Sequence, residues 1–152
     1  MAASSDRRAL SPATPRGALG GPLLVATVAA LLIASYLVVV RFLGEAPACG
    51  PGGTGCETVA NSSYATVLGI PVALFGFAAS AVLVACAALW WWRGERRALL
   101  AAYGLLLAST FALAYLTYLE LFVIHAICLW CVSYAAVTVA SLILAGLALR
   151  RS

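Results

Sequence analysis

A chain of 152 residues that is 64% hydrophobic and 9% charged, with a mean hydropathy of +1.06, carries more apolar surface than one water-soluble core can bury. A soluble domain is excluded and an integral membrane protein is required. The net charge of +4 comes from arginines that flank the apolar runs, which reads as membrane topology and excludes a nucleic-acid patch or a site for acidic substrates.

Residues 1–21, rich in Ser, Pro, Gly and Arg, read as a disordered cytoplasmic tail. Uncharged stretches follow over Leu23–Val40, Thr58–Trp92, Ala98–Leu119 and Ala126–Leu149, each able to supply the ~20 residues that cross a bilayer as a helix. The expectation is an all-α membrane protein, a bundle of four transmembrane helices at about 22–43, 66–92, 98–119 and 126–149, within one catalytic domain over 22–150. The second stretch is too long for one span, so Thr58 to about Ala65 reads as a segment lying on the lipid surface. A signal peptide is the competing reading of the first run, but removing it would leave three spans and upset the charge bias.

Arg7, Arg8 and Arg16 precede the first span, Arg93, Arg96 and Arg97 separate the second from the third, and Arg150 and Arg151 follow the fourth. Only Arg41 falls on the other side, so both termini are expected in the cytoplasm. The loop after span one and the turn between spans three and four then face outward, where disulfides can form and persist.

Two cysteine pairs sit on that side. Cys49 and Cys56 flank a glycine-rich loop, Cys-Gly-Pro-Gly-Gly-Thr-Gly-Cys, whose glycines at 50, 52, 53 and 55 permit backbone conformations that other residues resist. Cys128 and Cys131 form Cys-Leu-Trp-Cys at the expected start of span four. Residues three apart share a helix face, close enough for a disulfide, and a helix N-terminus favours the thiolate of Cys128. Cys131, one turn deeper, faces the hydrocarbon, where a quinone ring could approach. A mobile pair that collects electrons and a fixed pair that delivers them to a lipid-soluble acceptor make an electron relay. No βαβ pattern surrounds the motif, which excludes a thioredoxin fold.

Two other readings compete. An all-cysteine zinc site usually has two short chelating spacings, and one pair here encloses six residues; no metal is expected. Two inert structural disulfides would fit a nonenzymatic membrane scaffold or small transporter. Against this, a disulfide across so short a helical loop stabilises little, and the spans lack the ion pairs and paired broken helices of a transport site. The fifth cysteine, Cys86, lies among Val, Ala and Leu and reads as a small buried apolar residue.

In order and spacing these features resemble the bacterial homologues of vitamin K epoxide reductase, the quinone-linked disulfide-forming membrane enzymes. The resemblance rests on Cys49 with Cys56, Ser62 six residues beyond, the stretch Tyr64-Ala-Thr-Val-Leu-Gly-Ile-Pro-Val-Ala-Leu-Phe-Gly and Cys128-Leu-Trp-Cys131, and covers about Leu23 to Leu149. It implies a four-helix bundle in the cell inner membrane, with a quinone pocket near the outer surface capped by the segment after Cys56. It further implies that a reduced partner thiol attacks a Cys49–Cys56 disulfide, Cys49 takes the mixed disulfide, Cys56 relays electrons to Cys128, and Cys131 meets the quinone. Many bacterial relatives continue into a fused thioredoxin-like domain. This chain stops at Ser152, so the expected partner is a separate extracytoplasmic thioredoxin-like or DsbA-like protein. Pro71-Val72-Ala73 stands where the animal enzymes carry polar anchors for a naphthoquinone, so the expected acceptor is ubiquinone or menaquinone and vitamin K epoxide is not expected as substrate.

The remaining polar residues are less constrained. Ser62 reads either as a hydrogen-bond partner of a thiolate or quinone edge or as a helix N-cap. Trp130 reads as a wall of the quinone pocket or as lipid-facing. Glu120 and His125 bracket the turn between spans three and four, with His125 either moving protons or resting among lipid headgroups. Trp90, Trp91 and Trp92 read as an interfacial belt without chemistry.

Overall fold

The computed structural model describes residues 15–50 and 53–152. Four helices long and apolar enough to cross a membrane make up most of it: α1 (Pro15–Phe42), α3 (Val72–Arg93), α4 (Arg96–Leu119) and α5 (Leu129–Arg151). A short helix α2 (Gly55–Ala60), a 3₁₀ turn (Ser63–Ala65) and two paired strands, β1 (Thr66–Val67) and β2 (Ile70–Pro71), join α1 to α3. The expected all-α four-helix membrane bundle is what the chain forms. Helix α1 packs mainly against α3 and α5, and α4 packs on the same two.

Several boundaries differ from expectation. Helix α1 begins at Pro15, so the expected tail over 1–21 ends earlier; its first 14 residues lie outside the described region. The helix runs through Pro22, with Leu19 and Leu23 buried on either side of it. The second span begins at Val72, not at 66. Thr66–Pro71 is an antiparallel hairpin whose turn puts Leu68 and Gly69 at positive φ, and Pro71, which has no N–H to donate, opens the helix. The third span starts at Arg96 and is prolonged by a π-helical turn over Glu120–Ile124; the fourth starts at Leu129, not at 126.

Association of helices in lipid relies on close packing, because lipid tails compete for apolar contact. Small residues accordingly occupy the interior: Ala30 and Ala34 on α1, Ala87 on α3, Ala102 on α4, Ala145 and Ala148 on α5. At the end away from the cysteine pairs Ala87, Ala102, Ala145 and Ala148 join Leu23, Leu83, Leu99, Leu106 and Trp90 in one cluster, against which Cys86 packs, while Ala30 and Ala34 pack with Tyr134. Trp90 is therefore a core residue, and only Trp92 of the tryptophan run is strongly exposed. Buried Thr27, Thr138 and Ser141 donate to carbonyls of their own helices, and Ser80 meets the Tyr134 hydroxyl at 2.9 Å, tying α3 to α5. Among the described residues no buried side-chain polar atom lacks a partner, as an interior surrounded by lipid demands.

Candidate functional site

At the end of the bundle that carries the loop, α1 hands the chain to an irregular segment fixed by aromatic side chains. Tyr36 and Trp130 lie with ring centroids 4.6 Å apart. The Tyr36 hydroxyl accepts from the Ala48 N–H at 3.2 Å, and Trp130 Nε1 donates to the Ala48 carbonyl at 2.7 Å. Both backbone groups of the residue before Cys49 are thus held. Trp130 had read as a pocket wall or as lipid-facing; it is absent from the lining of the cavity described below and holds the loop instead. Tyr36 was not legible as a partner, because an aromatic residue in an apolar helix reads by default as a lipid contact.

Cys49 and Cys56 form a disulfide with Cα atoms 5.8 Å apart. Two of the glycines between them, Gly53 and Gly55, serve close packing. A Cβ at Gly53 would lie 2.7 Å from the Cys49 carbonyl oxygen, and one at Gly55 would collide with the carbonyl of Ile127. Having no side chain, Gly55 lets the start of α2 rest on the backbone just before α5, and Cys56 and Cys128 follow immediately on the two sides of this contact. Arg41, the one arginine on the loop side, donates to the Ala60 carbonyl at 3.3 Å and fastens the C-terminus of α2 to α1.

Cys128 is the N-cap of α5 and so precedes the helix, where a place in its first turns was expected. Its Sγ accepts the Cys131 N–H at 3.3 Å. The Cys131 thiol also donates to it, and together these hydrogen bonds hold the Cys128 thiol below the ordinary thiol range despite burial and the nearby Glu120 carboxylate. Cys128 and Cys131 are free thiols here, alongside the oxidised loop pair.

Glu120 had read only as a bracket of the turn. The π-helical turn that starts with it carries it inward, and at 5% exposure it is a buried carboxylate. Its Oε2 accepts the Cys128 N–H at 3.2 Å, and it borders the same cavity as Cys131. A signal existed in the sequence: a carboxylate within an apolar run, eight residues before Cys128, needs a buried partner or water. His125, by contrast, is exposed at φ 55° and stands apart from the cavity.

The bundle encloses a cavity of about 380 Å³ at this end, within the range of small-molecule sites. Cys56, Cys128 and Cys131 all border it, as do Glu120, Ser62 and Tyr134; most of the remaining wall is Ala, Val, Leu and Phe. Cys49 lies outside. Ser62 stands at the head of the 3₁₀ turn, but its hydroxyl donates back to Val59 at 2.7 Å, neither to a cysteine sulfur nor as a cap. Tyr134 donates to the Gly76 carbonyl at 3.1 Å. Apolar walls with a few polar edges fit a flat, lipid-soluble ring that carries oxygen atoms.

The sequence model of the vitamin K epoxide reductase family matches residues 22–146, which takes in every element of this site. No curated protein matches the chain. A four-helix membrane bundle with a loop disulfide and a neighbouring dithiol motif, matched over most of its length, belongs to the vitamin K epoxide reductase family and is a membrane disulfide oxidoreductase.

Proposed function

We propose that the protein passes electrons from a separate extracytoplasmic thioredoxin-like or DsbA-like dithiol through Cys49 and Cys56 to Cys128 and Cys131, and on to a membrane quinone, so as to support disulfide formation. The observation that carries this reading is that Cys56, Cys128 and Cys131 border one apolar cavity while Cys49 stays outside it. Cys49 is then the sulfur a bulky protein partner reaches. Its half-buried position fits attack by a thiolate on an accessible disulfide.

Each transfer is a thiolate attack. The partner's thiolate breaks the Cys49–Cys56 bond, a second partner sulfur releases Cys49, and Cys56 is left as a thiolate beside Cys128. Cys56 attacks Cys128 of an oxidised helix pair, and Cys131 leaves. Cys49 then attacks Cys56 and frees Cys128, a good leaving group because its thiolate is favoured. The result is an oxidised loop and a reduced helix pair, the combination present in this structure. When bound, a quinone accepts two electrons and two protons from the dithiol. The cavity wall around Cys131 is largely apolar, and Ser62 and Tyr134 offer polar edges for orientation.

A role as an inert scaffold predicts that the helix dithiol has no function. Purified protein should reduce a short-chain ubiquinone or menaquinone at the expense of dithiothreitol, and Cys131→Ser should abolish this in folded protein. Cys49→Ala should keep the dithiothreitol reaction and lose the reaction with a protein dithiol. Equal loss in both variants with dithiothreitol would contradict the division of labour between the pairs.

A further inference from the structure

Nothing in the relay so far uses the buried carboxylate beside the helix dithiol. A carboxyl group 5% exposed is costly in an apolar interior and needs partners; Glu120 accepts the Cys128 N–H and borders the same cavity as Cys131. Capping α5 does not need a charge, since a neutral oxygen would accept the Cys128 N–H equally well. Its place beside Cys131 on the cavity wall is different in kind. It puts an acid–base group and a sulfur that must shed a proton to react on the lining of one largely apolar cavity.

We propose that Glu120 is the general base of the helix dithiol: its carboxylate takes the proton of the Cys131 thiol as that sulfur becomes a nucleophile, and passes it on to the group that departs. The inference rests on the proposed route of electrons through Cys131. Oxidation of the dithiol to the Cys128–Cys131 disulfide forms one S–S bond and releases two electrons and two protons to a quinone acceptor. One proton is that shed by Cys128 on forming its thiolate. The other is the Cys131 proton, which crosses to Glu120 and then to the reduced acceptor. Because Glu120 holds the N–H of Cys128, whose sulfur in turn holds the N–H of Cys131, and all three line one cavity, both transfers are short.

The proton transfer can be isolated from the quinone. With the loop disulfide intact, one equivalent of methyl methanethiosulfonate caps Cys128 as its S-methyl disulfide. Cys131 then attacks Cys128, the Cys128–Cys131 bond forms, and methanethiol leaves with the proton. Ring closure is unimolecular and is read by peptide mass spectrometry. Glu120→Gln keeps an oxygen for the Cys128 N–H but cannot accept a proton, and should close roughly a hundredfold more slowly, at the lower end of general base effects. Glu120→Asp should recover part of the rate. The wild-type rate should level off with rising pH once Glu120 is ionised, whereas Glu120→Gln should climb throughout as Cys131 itself titrates.

The other titratable or charged groups bordering the cavity, Arg41, Glu45, Tyr64, Cys128, Cys131 and Tyr134, are unchanged between these proteins, so a difference in profile belongs to Glu120. Closure of Glu120→Gln at the wild-type rate would make Glu120 a cap and overturn the proposal. Should that variant fail to fold, absence of a solvent deuterium isotope effect on wild-type closure would overturn it equally. The same proteins assayed for quinone reduction separate the two readings. Glu120-dependent closure in a wild-type protein that reduces no quinone would refute the acceptor and leave the base in place.

Discussion

Cys128 receives hydrogen bonds from both the thiol and the N–H of Cys131, and this favours its thiolate. A depressed thiol stays ionised at pH values below the ordinary range and loses reactivity only as the pH falls through its own lowered value. In protein with an oxidised loop, alkylation of Cys128 by a small apolar reagent should therefore persist to lower pH than alkylation of a reference thiol. Cys131→Ala removes the thiol donor and should move the Cys128 inflection back up; an unchanged inflection would assign the effect to the helix terminus alone. That the two cysteine pairs come together at one end of the bundle was legible from their places relative to the apolar spans. Glu120 was visible as a residue but not as a participant, because a π-helical turn has no sequence period that would show which way it faces. Trp130 had read as a pocket wall or as lipid-facing, and neither reading had its 2.7 Å bond to Ala48, which directs it to the loop.

Among the elements, α2 is the smallest and the most constrained. Six residues cannot be stable alone, and this helix is held by the Cys49–Cys56 disulfide, by Arg41 at its C-terminus and by the contact of Gly55 with Ile127. Gly55→Ala would favour the helix locally while forcing it away from Ile127, and so should separate Cys56 from Cys128. A misplacement of about 1 Å can cost roughly a hundredfold in a positioned reaction, so internal exchange should slow by about that factor while reduction of the loop disulfide from outside stays near wild type. Equal effects on both steps would show that the loop as a whole had been disturbed. The long helices were readable because runs of ~20 apolar residues have one use in a membrane chain. The hairpin at Thr66–Pro71 was not, because its apolar residues run without a break into α3 and its turn is carried by Leu68 at φ 53°, a position where leucine is unusual.

At the scale of the whole molecule, the two cysteine pairs lie at one end of the bundle and the packed cluster around Trp90 and Leu99 at the other. Eight of nine arginines belong to that second end or to the termini, and the ninth, Arg41, is occupied by α2. The proposed orientation, with both termini in the cytoplasm and the relay outside, rests on this asymmetry. A membrane-impermeant thiol reagent added to intact cells should label Cys49 once the loop is reduced; protection until the membrane is broken would reverse the orientation. The central claim is that electrons pass from the loop to the helix through a bond between Cys56 and Cys128, the two buried sulfurs that border the same cavity. Nonreducing peptide mapping of Cys131→Ser and of Cys49→Ala tests it most directly, because each variant lacks the thiol that would resolve the intermediate. Both should accumulate a Cys56–Cys128 crosslink; recovery of only Cys49–Cys128 from Cys131→Ser would exchange the roles of the loop cysteines, and absence of any loop-to-helix crosslink in either variant would contradict the relay.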